Sequence, residues 1–81
     1  MKELLKYAGS LLVTEKDRLA VKEINDMTGR LEKCVISVAP ADIKHIIGRE
    51  GRTIKALRSL LSIAAANKGI KKKIPLEIIN E

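Results

Sequence analysis

The sequence has no tryptophan, no phenylalanine and a single tyrosine, Tyr7. With 46% of its 81 residues hydrophobic, it must therefore build its core from Leu, Ile, Val and Ala. A chain of this length has room for one small core, so residues 1–81 are expected to form a single domain. One cysteine, Cys34, excludes an internal disulfide, and one histidine, His45, leaves no Cys/His set that would hold a structural metal. The fold has to stand on packing, and a lone thiol suits a reducing cytoplasm. No run of 18 apolar residues occurs, so no membrane span is expected. The opening segment MKELLKYAGSLLV is a poor export signal, because Glu3 and Lys6 interrupt its basic start and Gly9 and Ser10 its apolar stretch.

What the chain does have is charge, unevenly spread. Lys and Arg total 16 against 10 Asp and Glu, a net of +6. Up to Asp42 the two signs cancel. Beyond it Lys44, Arg49, Arg52, Lys55, Arg58, Lys68, Lys71, Lys72 and Lys73 face only Glu50, Glu77 and Glu81. A basic field confined to one half of a chain points to a polyanionic partner, nucleic acid above all.

Hydrophobic spacing gives the elements. Leu4, Leu5, Ala8, Leu11 and Leu12 recur on one face of a helix from about Lys2 to Val13. A short strand follows near Leu19–Ile24, although Val21 and Ile24 do not share one alternation. The cluster Asn25-Asp26-Met27-Thr28-Gly29 is turn chemistry, and Cys34, Ile36 and Val38 alternate as the inward face of a second strand, making a hairpin. Pro40 suits the start of a new helix, Asp42 its first turn against the positive dipole end, and Ile43, Ile46 and Ile47 its buried stripe. Gly48 should close that helix in the left-handed conformation. After Gly51 a longer helix carries Ile54, Leu57, Leu60, Leu61, Ala64 and Ala65 on one arc, with Arg52, Lys55, Ser59 and Ser62 pointing away. A basic loop, Lys68 to Lys73, leads to a last strand through Ile74, Leu76 and Ile78, where Pro75 argues for a sheet edge. The expected architecture is α+β with element order α-β-β-α-α-β, a small sheet carrying three helices on one face.

The most informative stretch is Ile46-Ile47-Gly48-Arg49-Glu50-Gly51-Arg52-Thr53-Ile54. It does not fit the Walker phosphate loop, where Arg52 would stand in place of the lysine, nor G-x-G-x-x-G. No nucleophile stands ready for His45, and Glu50 between Arg49 and Arg52 reads as an ion-paired surface carboxylate, so no enzyme is expected. What remains is a helix, a G-x-x-G turn and a helix. Two missing side chains let a phosphate backbone approach, the helix start offers N–H donors, and Arg49 and Arg52 supply charge. A chain without Phe or Trp cannot stack bases as an RRM or a ring-lined OB fold does.

These residues, with Val38-Ala39-Pro40-Ala41-Asp42 before them and Leu76-Glu77-Ile78-Ile79 at the end, resemble the KhpA-like family of small bacterial KH-domain RNA-binding proteins over nearly the whole chain. The resemblance implies a type II KH domain with a three-stranded mixed sheet, the strand Glu32–Val38 at its centre and the last strand parallel to it at an edge. It places the clamp on Gly48, Arg49, Glu50 and Gly51, a groove beside it at Ile47, Arg52, Ile54 and Lys55, and a variable loop with Lys71, Lys72 and Lys73 across that groove. Glu50 departs from the family's neutral form at its position. Single-stranded RNA is the implied ligand, with no cofactor. The resemblance further implies a homodimer, pairing with a larger KhpB-like KH protein, and a role as post-transcriptional regulator or RNA chaperone in cell elongation and division. The alternative is a protein-interaction module that uses the glycine turn and its apolar neighbours as a dimer interface.

Overall fold

The structure is a computed structural model and describes residues 1–80. Strand β1 (Ala20–Asn25) pairs antiparallel with β2 (Leu31–Val38), and β2 pairs parallel with β3 (Leu76–Asn80), which gives a mixed sheet of order β1-β2-β3. Helices α1 (Lys2–Ser10), α2 (Ile43–Ile47) and α3 (Arg52–Asn67) cover one face. This is the expected α-β-β-α-α-β order of a type II KH fold, with β2 central and β3 at an edge.

The core is aliphatic throughout. Cys34, Ile36 and Val38 of β2 are fully buried and pack with Leu5 of α1, Ile46 of α2, and Ile54, Leu57, Leu61 and Ala65 of α3. Burying one such aliphatic side chain contributes about 1.5–3 kcal/mol. Cys34 behaves as a small hydrophobe, and burial pushes its thiol pKa up.

Several boundaries differ from the expectation, each for a visible reason. Helix α1 stops at Ser10, short of Val13. The Ser10 hydroxyl donates to the Tyr7 carbonyl at 2.6 Å, the chain turns, and Val13 is buried in the core instead of continuing the helix. Leu11, counted on the buried face, is consequently 69% exposed, and Leu4 is exposed too. The poor alternation of β1 is also explained. Val21 opposes Ile36 on the helix-covered face, whereas Ile24 opposes Lys33 on the outer face. Between the strands Asp26 organises the turn: its Oδ1 accepts from Thr28 N–H, Thr28 Oγ1 and Arg30 N–H, and Gly29 takes φ 85°. Pro75 sits just before β3, and its carbonyl accepts the Cys34 N–H at 3.0 Å.

Asp42 does something other than cap its own helix. A 3₁₀ turn, Pro40–Asp42, precedes α2, and the Asp42 side chain makes no capping bond there. Fully buried, it reaches back to the segment after α1, where Oδ1 accepts from Thr14 N–H and Thr14 Oγ1 and Oδ2 accepts from Glu15 N–H, all within 3.0 Å. His45, half-exposed on α2, donates from Nδ1 to the same carboxylate at 2.9 Å. The N–H groups of Glu15 and Thr14, opposed by burial and assisted by His45 and the Thr14 hydroxyl, hold the Asp42 carboxyl far below the usual carboxylate range.

Candidate nucleic-acid interface

Helix α2 lasts five residues because Gly48 ends it. The Gly48 N–H still bonds to the Lys44 carbonyl at 2.9 Å, but its backbone lies at φ 77° and ψ 174°. That is a region open to glycine alone, and it differs from the left-handed helical conformation expected there. The reason is Thr53. A Cβ at Gly48 would lie 2.6 Å from Thr53 Cβ and 2.9 Å from its backbone nitrogen, so the first turn of α3 packs directly on the glycine. Left-handed geometry appears two residues later, at Glu50 (φ 56°, ψ 25°) and Gly51 (φ 74°, ψ 16°). Glu50 is the one non-glycine residue with positive φ among the described residues. A Gly51 N–H bond to the Gly48 carbonyl at 3.2 Å closes the turn.

The outcome is a tight loop whose two middle side chains, Arg49 and Glu50, stand in solvent. Arg52 Nη2 lies 3.9 Å from Glu50 Oε2, a surface pair of the kind worth less than about 1 kcal/mol. The N–H groups that open α3 have no side-chain cap, so the positive end of a 16-residue helix faces the loop.

Beside the turn an open groove runs between α3 and β3. Its first section, about 560 Å³, is lined by Ile47, Ile54, Arg58, Leu76, Ile78 and Ile79. The second, about 690 Å³, shares Arg58 and Leu76 and continues past Ser59, Ser62 and Ile63 to Lys73. Ile47, expected in a buried stripe, is 40% exposed and opens onto the groove. Helical spacing sets Arg52, Lys55, Arg58, Ser59 and Ser62 along one flank of α3. Opposite them Glu77 is bound by Lys33, whose Nζ is 3.0 Å from both carboxylate oxygens.

The structure thus brings Ile47, Gly48, Arg49, Glu50, Gly51, Arg52, Ile54 and Lys55 together at one end of α3. Lys73 lies at the other end of the groove. Lys71 and Lys72 belong to the same loop but line a different cavity, beside the β1–β2 turn. Arg58, Ser59 and Ser62 also line the groove and were not among the residues expected there. The signal for Arg58 was present, since it follows Lys55 by three positions and so shares its helix flank.

A family model for the KhpA/KhpB KH domain matches residues 2–78. Among curated proteins, the chain is 40% identical over 81 residues to the RNA-binding protein KhpA of Chlamydia trachomatis, covering all of this chain and 99% of that one. It is 38% identical over 80 residues to the KhpA of Halalkalibacterium halodurans, covering 99% and 100%, and 34% identical over 82 residues to that of Aquifex aeolicus, covering 98% and 95%. No solved structure gives a significant match. A KH-type order of elements, a two-glycine turn between α2 and α3, and a match along almost the full chain agree: the protein belongs to the KhpA/KhpB KH-domain family.

Proposed function

We propose that this protein binds single-stranded RNA, seating the sugar-phosphate backbone on the turn Gly48–Gly51 and the bases in the α3–β3 groove. The observation that carries the reading is the turn itself. Gly48, packed on Thr53, fixes the turn, and Gly51, where a Cβ would meet nothing nearer than Ile54 Cγ2 at 3.9 Å, leaves backbone open at the uncapped, positive end of α3, where a phosphate can approach. Arg49, Arg52 and Lys55 supply charge beside it. Ile47, Ile54 and Ile78 offer an apolar surface for bases without any ring to stack on. The relatives are named for RNA binding, none of those cited for a reaction. On the family resemblance, the reading extends to a cytoplasmic post-transcriptional regulator or RNA chaperone linked to cell elongation and division, working with a second copy or with a KhpB-like partner.

A labelled single-stranded RNA titrated at two salt concentrations tests the reading. With about four to six phosphates neutralised, log affinity should fall against log salt with a slope of roughly 3 to 4. Replacing Arg49 and Glu50 together with Asp-Asp should abolish binding while circular dichroism stays unchanged, because both side chains are exposed and aspartate tolerates the left-handed position. Equal binding by wild type and the double variant would overturn the clamp. The exposed apolar side chains Ile47, Ile63 and Ile79 in and beside the groove favour the second reading, a dimer interface on this face. Concentration-dependent dimerisation that RNA competes away would support it.

A further inference from the structure

Lys71 and Lys72 do not face the groove, and the place they do face is built. A cavity of about 1020 Å³, open to solvent, lies between the β1–β2 turn and the α3–β3 loop. Arg30, Lys71 and Lys72 border it, Leu31 and Ile70 give it an apolar floor, and Asp26 is its one acid. That acid is engaged: one of its oxygens accepts three bonds within the turn. The Thr28 hydroxyl foremost, then the Arg30 N–H, with Lys72 contributing, keep the carboxyl ionised below its usual range. Three cations therefore stand around a concave surface with one internally bonded carboxylate. None of the three has an ion-pair partner within salt-bridge distance among the described residues.

The position of this cavity sets its role. Helix α3 separates it from the glycine turn by about 24 Å, the length of 16 helical residues. A clamp of this type holds about four nucleotides. A strand that enters at Gly48–Gly51 and follows the groove reaches Lys73 at its far end, and Lys72 and Lys71 are the next two residues back along the same loop.

We propose that the cavity formed by Arg30, Lys71 and Lys72 is a second phosphate-binding site, which takes the part of a single-stranded RNA that emerges from the groove. The site rests on the RNA-binding reading above and adds a length requirement to it. An RNA long enough to span turn, groove and cavity gains contacts that a groove-filling fragment lacks. Leu31 and Ile70 can shelter the face of one ribose or base between those phosphates.

The test compares an oligonucleotide of about 5 residues, enough to fill the clamp, with one of about 12. Each is titrated against wild type, Arg30→Ala/Lys71→Ala/Lys72→Ala, and the Asp-Asp turn variant. Three phosphate contacts contribute roughly 2 to the salt slope on the long strand. Between roughly 50 and 200 mM salt, wild-type affinity for it should fall about 20-fold further than that of the triple variant. The short strand should bind wild type and triple variant equally. A triple variant that weakens the short strand as much as the long one would overturn the proposal, because the lysines would then serve the groove. Equal slopes on the long strand would also overturn it and leave the patch to an acidic protein surface. Failure of wild type to bind either strand would remove the RNA reading itself. Should the triple variant fail to fold, Lys71→Gln/Lys72→Gln in the exposed loop provides the same comparison with a slope change of about 1.4.

Discussion

Gly48 and Gly51 look equivalent in a G-x-x-G pattern, but their surroundings make them unequal. A methyl at Gly51 meets nothing closer than Ile54 Cγ2 at 3.9 Å, so Gly51→Ala carries only the left-handed backbone cost of about 1–2 kcal/mol. At Gly48 the methyl would strike Thr53, and the conformation itself is closed to alanine. Gly48→Ala should therefore destabilise the protein by clearly more than Gly51→Ala, as read by the midpoints of thermal unfolding; equal shifts would contradict the Thr53 contact. Between the glycines, Glu50 combines an unfavourable backbone with a carboxylate at the place a phosphate should approach. Glu50→Gln removes one like-charge repulsion worth roughly 1 kcal/mol near a surface. It should tighten RNA binding about fivefold at low salt. A weaker complex would instead mean that Glu50, through the 3.9 Å contact, holds Arg52 in a binding pose.

At the scale of elements, what joins α2 to the rest of the fold is as much polar as apolar. Ile46 is its one fully buried side chain, while Asp42 at its head fastens it to the chain after α1 through Thr14 and Glu15. Because the Asp42 carboxyl is more acidic folded than unfolded, its contribution is complete above the ordinary aspartate value near pH 4 and is lost as pH falls below it. Asp42→Asn retains one acceptor oxygen but sets an amide N–H₂ against a backbone donor. The variant should unfold at lower temperature near pH 7, with the gap to wild type narrowing as pH falls from about 5 toward 2. A gap that does not change with pH would place the loss in packing, not charge. Asp42 also shows where sequence reasoning stopped. An aspartate after Ala-Pro-Ala is legible as a helix-start residue, but a bond to a segment 28 positions away leaves no trace in local spacing. Periodicity located α3 and β2 well, since a long arc and a clean alternation each admit one reading. It overran α1, where Leu11 and Leu12 continue the helical spacing after the Ser10 hydroxyl and the burial of Val13 have already turned the chain.

For the whole molecule, the charge asymmetry visible along the sequence becomes a distribution in space. Arg52, Lys55 and Arg58 flank the groove on α3 and Lys73 closes its far end, while Lys71 and Lys72 join Arg30 from the balanced half of the chain. Residue order alone could not make that last grouping, because Arg30 and Lys71, far apart in the chain, border one cavity only in the folded protein. The docking of β3 has a consequence in time. The hairpin of β1 and β2 joins neighbours in the chain, whereas β3 pairs Leu76 with Cys34 across a loop of roughly forty residues, a closure that costs more chain entropy and should form later and open sooner. Amide hydrogens that bond β3 to β2 should therefore exchange with solvent faster than those shared by β1 and β2, and saturating RNA should slow the β3 group selectively. Uniform exchange across the sheet would count against this order. Since β3 is one wall of the groove, its partial release erases the binding surface while the hairpin stays intact, and occupancy by a ligand becomes the bolt that keeps the last strand shut.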